Sequence, residues 1–157
     1  MPKKSLDNDL YHRPGFLIRR IHQLFVGIFE DECKSINLSP PQYSVLRVLA
    51  SIPDQDQSSL AKLIGMDKVT TLHIIRNLEK RKLISRIRLA GNKKRFSINL
   101  TNNGFEMIKK AKSPVNKAYL RIMAPLTSKQ GVDFLTTLDL LTSALEKDAR
   151  APLIKKY

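Results

Sequence analysis

Between Asp56 and Arg81 the chain carries two helix starts and one helix stop in close succession, and this grammar limits the folds open to it. Asp56 is placed to cap a short helix bearing Leu60, Ala61, Leu63 and Ile64, because a carboxylate can accept the unsatisfied N–H groups of a first turn. Gly65 ends that helix. Two residues later Asp67 caps another, from Lys68 to about Arg81. A short helix, a tight glycine-containing turn and a longer helix form a helix-turn-helix.

The segments on either side extend this core. Ser39-Pro40-Pro41-Gln42 starts a preceding helix: Ser39 caps, Pro40 sits where its missing N–H costs nothing, and Gln42 completes a capping box. That helix runs through Tyr43, Leu46, Leu49 and Ala50 to the stop at Ser51-Ile52-Pro53-Asp54. On the helix from Lys68, Thr71, Ile74, Ile75 and Leu78 share one side, which is read as core. Lys68, Val69, Leu72, His73 and Arg76 point away, a mixture suited to phosphates, base edges and thymine methyl groups; a solvated charged face has the same pattern.

Downstream, Ile87 and Leu89, then Phe96, Ile98 and Leu100, alternate with Arg86, Arg88, Arg95, Ser97 and Asn99, giving two strands with one buried face each. Ala90-Gly91-Asn92-Lys93-Lys94 is a turn of hairpin length. From Ser85 to Arg95 the segment has five cations and no acid, so a hairpin with a basic tip follows the outward helix, as a wing does.

Two long apolar stripes flank this centre. From Phe16 to Ile36, Leu17, Ile18, Ile21, Leu24, Phe25, Ile28 and Phe29 form a wide helical face. Thr101 caps a later helix bearing Ile108, Ala111, Val115, Ala118 and Ile122, which Pro114 should kink or split. Thr127 with Gln130 starts a last one, with Phe134, Leu138, Leu141 and Leu145. These helices make a dimerisation layer from both ends of the chain, or pack onto their own domain. The fold is therefore read as mainly α with a small β-hairpin wing. One domain, 1–157, is divided into a winged helix-turn-helix part at 38–100 and a helical dimerisation part at 10–36 and 101–150.

Charge agrees with such a reading. Among 157 residues, 28 Lys and Arg stand against 14 Asp and Glu, a formal charge of +14 that favours a polyanion, nucleic acid or an acidic membrane surface. Residues 1–9 have two lysines without a following apolar core, and no run approaches the ~20 apolar residues of a membrane span, so a cytoplasmic protein, on the nucleoid when DNA-bound, is expected. Cys33 is the only cysteine, so no internal disulfide or multi-cysteine zinc site can form, and His12, His22 and His73 lack ligand spacing. No cofactor or metal is expected. No nucleophile–base pair, paired carboxylates or phosphate-cradling glycine loop is evident, so the chain is not read as an enzyme.

Leu38-Ser39-Pro40-Pro41-Gln42-Tyr43-Ser44-Val45-Leu46, Leu60-Ala61, Asp67 with Thr70, Leu78-Glu79-Lys80-Arg81, Leu83-Ile84 and Leu100-Thr101-Asn102-Asn103-Gly104, in that order, resemble the MarR family of transcriptional regulators. The resemblance implies a winged-helix homodimer on a pseudo-palindromic operator, released when a small anionic or phenolic ligand binds between the dimerisation and DNA-binding parts. The stretch from Arg13 to Gln23 further resembles members that sense aromatic acids or their coenzyme A thioesters.

Lys68, Val69, Thr70, Leu72, His73, Arg76 and Asn77 on the helix, with Arg88, Lys93, Lys94 and Arg95 on the wing, are the expected DNA contacts. Arg19 and Arg20, placed to hold a carboxylate bidentately or simply exposed, join His22 and Tyr43 as ligand-site candidates. Two features depart from the family. Its wing has an Asp and, two residues on, an Arg where this chain has Asn92 and Lys94, with Arg95 adjacent, and its recognition helix commonly ends at a glycine where this chain has Lys82.

The function expected is a sequence-specific regulator, a ligand-released repressor. The alternatives are a basic structural protein that coats nucleic acid without sequence preference, and a redox-sensing regulator based on Cys33. For the last, the neighbouring Asp31 and Glu32 disfavour a thiolate.

Overall fold

The computed structural model describes residues 10–92 and 94–156. Six helices and one hairpin follow in order: α1 (Pro14–Glu32), α2 (Pro40–Ser51), α3 (Gln57–Ile64), α4 (Lys68–Lys80), β1 (Ile84–Arg88), β2 (Phe96–Leu100), α5 (Asn102–Met123) and α6 (Ser128–Leu145). It is the mainly helical, hairpin-bearing fold expected. Single-turn 3-10 helices precede α1 and follow both α1 and α6.

Most of the starts are local chemistry. The Ser39 N–H donates to Gln42 Oε1 at 3.0 Å in a complete capping box. Asp56 accepts from the Ser59 N–H at 2.8 Å, Asp67 from the Thr70 N–H at 2.8 Å, and Thr101 Oγ1 from the Gly104 N–H at 3.1 Å. Thr127 and Gln130 form the second box. Gly65 closes α3 at φ 65°, a left-handed conformation that glycine adopts without a Cβ clash.

Lys82 closes α4 in the same region, at φ 56°, but with a side chain. Its N–H donates to Glu79 O at 2.8 Å and the next, of Leu83, to Leu78 O at 3.0 Å, so the closing turn is fixed and the strain is retained. Lys82→Gly is therefore expected to stabilise the fold by about 1 kcal/mol, read as a higher urea midpoint at unchanged slope.

The helix expected from Phe16 to Ile36 instead spans Pro14–Glu32. At Cys33 the chain leaves the α-helix for a 3-10 turn at Lys34–Ile36, and Asn37 turns left-handed at φ 48°. The Arg81 guanidinium accounts for this ending, donating to Ile36 O at 3.0 Å and Asn37 O at 2.8 Å from the end of α4. Ile36 remains half-buried, which is why the apolar period outran the helix.

One core joins α1, α2, α3, α4, α5 and the hairpin. Phe29, Val45, Leu46, Leu49, Leu60, Ile75, Leu78, Ile98, Ala111 and Ala118 are inside it. Thr71, also enclosed, donates its hydroxyl to Asp67 O at 2.7 Å and so leaves no unpaired polar atom. Pro114 does not split α5, which runs unbroken from Asn102 to Met123 and lies along α1. By contrast, α6 has no buried side chain, although Leu135, Leu140, Leu141 and Leu145 are large and exposed.

The strands pair antiparallel, from Ile84 opposite Leu100 to Arg88 opposite Phe96. Gln55 adds a bridge to Ile98, with backbone bonds of 2.8 and 3.3 Å. On β1 the expected faces are reversed. Ile87 is 62% exposed and Leu89 is also exposed, whereas Arg86 is half-buried. Arg86 sits opposite Ile98 on the inner face, pairs with Glu79 at 2.7 Å and lies 5.1 Å from the centre of the Phe96 ring. An acid on α4 and an aromatic ring make the inner surface suit a guanidinium, and a shift of one residue reverses every side chain of a strand.

Candidate nucleic-acid interface

Helix α4 buries Thr71, Ile74, Ile75 and Leu78, and this fixes what it turns outward. Lys68, Val69, His73, Arg76 and Asn77 are exposed; Thr70 and Leu72 are half-buried at the margin. Among the described residues Lys68, His73 and Arg76 have no acidic partner. Two polar members of the face are already engaged. Thr70 Oγ1 donates to Asp67 at 2.6 Å, and Asn77 Oδ1 accepts from Gln42 Nε2 at 2.9 Å, leaving the Asn77 amide N–H groups outward. Gln57 Nε2 donates to Lys68 O at 3.1 Å and ties α3 to the start of this face.

On the hairpin the expected cations divide into two groups. Lys94 is exposed, with its N–H closing the turn on Asn92 Oδ1 at 3.0 Å, and Arg88 is exposed with its guanidinium 5.6 Å from the Phe96 ring centre. Neither has an acidic partner among the described residues. Lys93, also expected here, lies outside the described residues. Arg95, by contrast, is paired with Asp56, the cap of α3. That contact, then the Ser59 N–H, hold the Asp56 carboxyl below the usual carboxylate range. Asp56 offsets part of the Arg95 charge, so Lys94 and Arg88 are the cations most open to an anion.

Between the wing and the start of α3 lies a cleft of about 240 Å³, lined by Asp56, Gln57, Ser58, Arg86, Lys94 and Arg95 over the apolar Ile75, Phe96 and Ile98. Gln57, Ser58 and Arg86 are not among the contacts expected from sequence. The signal for the first two was present, since a capped helix start directs N–H groups outward.

The helical layer holds a second concavity, of about 610 Å³. Ile18, Ile21, His22 and Phe25 of α1, Tyr119 and Ile122 of α5, and Phe134 and Leu138 of α6 wall it, so that an imidazole and a phenol stand among apolar side chains. Tyr119 stacks on Phe25, with centroids 6.3 Å apart, and burial pushes its hydroxyl pKa up. Of the four ligand-site candidates only His22 lines this groove. Arg19 is exposed, bonded to Gln23 at 3.2 Å and lying over Phe16; Arg20 is exposed; and Tyr43 packs against Phe29 within the core margin.

Cys33 is fully enclosed, and burial, then the charge of Glu32, push its thiol pKa up. Both effects disfavour the thiolate on which oxidation depends. Iodoacetamide should therefore alkylate Cys33 at least ~100-fold more slowly in the folded chain than in urea, and equal rates would restore the redox reading. Among the described residues no cluster of three or more His, Cys, Asp or Glu could hold a metal, and no helix is long and apolar enough to cross a membrane.

Residues 38–96, from the end of the α1–α2 connection to the first residue of β2, match the model of the MarR family. The fold is shared with solved regulators. A probable transcriptional regulator from Pseudomonas aeruginosa superposes with a TM-score of 0.80 at 23% identity, over 85% of this chain and 99% of that one. The repressor CouR bound to a 23-mer DNA duplex gives 0.79 at 23% identity, over 86% and 96%. BpsR of Bordetella bronchiseptica, whose DNA binding is regulated by 6-hydroxynicotinic acid, gives 0.78 at 20% identity, over 85% and 96%.

Proposed function

We propose, from the match of residues 38–96 to the model of the MarR family and from the outward face of α4 beside the wing, that this chain is a MarR-type transcriptional regulator, not an enzyme, that binds specific sites in duplex DNA as a homodimer. The observation that carries the reading is the outward face of α4. Lys68, His73 and Arg76 stand there without acidic partners, beside a wing whose Lys94 and Arg88 are equally free of them, among the described residues. The α4 helices of two copies enter successive major grooves about 34–36 Å apart, with the wings on the flanking backbone. Lys68, Thr70, His73, Arg76 and Asn77 reach bases or phosphates, Val69 and Leu72 supply apolar contact to thymine methyl groups, and Arg88, Lys93, Lys94 and Arg95 grip the backbone.

The second copy covers the apolar surface of α1 and α6. A helix with no buried side chain gains little from its own residues, and the exposed leucines of α6 face solvent unless another chain meets them. The protein acts in the cytoplasm as a repressor, and an aromatic acid releases it, with the ring in the apolar groove and the carboxylate toward His22, the one ligand-site candidate that lines it. Release is a population shift, which requires the acid to bind the DNA-free arrangement more tightly than the DNA-bound one.

The test is selection from a genomic duplex library against excess random DNA at physiological salt. Recovery of a pseudo-palindromic site held ~10³-fold or more above random duplex is expected. Uniform weak retention of all duplexes would favour the basic, sequence-indifferent coat protein that a charge of +14 also fits.

A further inference from the structure

We propose that the segment after α6, residues 149–156, is a brace that fixes α2 and α3 to the end of α6, so that any shift of α6 is carried to the turn that sets the recognition helix. A terminal segment of this length frays unless something ties it down. This one is tied at both sides. Toward α6, the Leu153 N–H donates to Glu146 Oε1 at 2.6 Å and Lys155 Nζ to Asp139 Oδ1 at 3.2 Å. Toward the DNA-reading unit, the Ile154 N–H donates to Lys62 O at 2.9 Å, capturing a carbonyl in the last turn of α3.

The apolar contacts converge on the same turn. Leu153 covers Gly65, its Cβ 3.4 Å from where a Cβ of that glycine would lie, and Gly65 is the left-handed residue between α3 and the Asp67 cap of α4. Leu153 and Ile154 also line a groove of about 250 Å³ with Val48, Ile52 and Leu63. The tail thus presses on the hinge of the helix-turn-helix from a helix that belongs to the opposite layer. This mechanical link stands independently of the DNA reading; its use in setting the reach between two recognition helices rests on that reading.

The test is hydrogen exchange on the full chain and on the variants Leu153→Asp and Glu146→Ala. In the wild type the Ile154 amide should exchange as slowly as the amides of α3; exchange at the rate of an unstructured chain overturns the brace. Both variants should speed exchange of α3 about tenfold and leave α5 unchanged. Exchange of α3 within twofold of wild type in both variants also overturns it. The wild-type measurement decides the matter even if a variant does not fold. With a selected operator in hand, both variants should accept half-sites moved apart by one base pair that the wild type rejects; identical spacing preferences would refute the link from brace to recognition helix. A wild-type chain that selects no operator would refute the DNA reading, and the exchange data would then judge the brace alone.

Discussion

Gly104→Ala is expected to destabilise the chain by about 3 kcal/mol, the upper end of what overpacking a tight interior costs, although helix propensity alone predicts a gain of about 1 kcal/mol. Gly104 is buried in the first turn of α5, facing the start of β1. A Cβ there would lie 2.1 Å from Leu83 O and 2.9 Å from Leu100 Cδ2. The leucine methyl can move, but Leu83 O cannot retreat freely, because it accepts the N–H of Thr101, the cap of α5, at 3.1 Å. The measurement is urea unfolding, with exposed Asn103→Ala as the control for propensity. A loss below about 0.5 kcal/mol would mean that the helix slides off β1 at little cost, and that α5 does not lock the root of the wing.

Arg76→Ala combined with Lys94→Ala is expected to lower operator affinity by ~10³-fold. The two side chains are exposed on the recognition helix and the wing tip, and a dimer presents each twice. At about 1 kcal/mol per contact, four lost contacts amount to about 4 kcal/mol, near three decades. The salt dependence separates their roles. If all four contacts are to phosphate, the slope of log affinity against log salt should fall in magnitude by about 3.6. If Arg76 reads a base, the fall should be about half that, and the single variant should relax sequence preference instead. Full affinity in the double variant would remove α4 and the wing from the interface.

Local chemistry made much of this architecture legible. Asp56, Asp67 and Thr101 act on N–H groups three residues away, so each cap could be read where it stands, and the buried face of α4 followed from four residues at helical spacing. What escaped depends on partners distant in the chain. The inner face of β1 is decided by Glu79 and Phe96 around Arg86, and the end of α1 by Arg81 reaching back 44 residues to Asn37. The Asp56–Arg95 pair spans 39 positions, so a wing arginine that composition marks as an open cation is already engaged. The contacts of the tail have no period at all: Leu153 and Ile154 are two apolar residues in a short polar stretch, and only the fold brings them to Gly65. In the helical layer, periodicity found the apolar stripe of α1 but could not separate Arg19 and Arg20, which point to solvent, from His22, which lines the groove.

A layer whose last helix has no interior of its own ties the proposed regulator to its abundance. Where a second copy covers α6, each chain acts as a ligand that stabilises the other, and the melting temperature should climb with protein concentration by mass action. On dilution the layer loses its cover while the core around Leu46 and Ile75 remains, so α6 loosens before the DNA-reading helices do. A cell would then hold two pools of the chain, and the amount synthesised would set how much of it is able to span an operator.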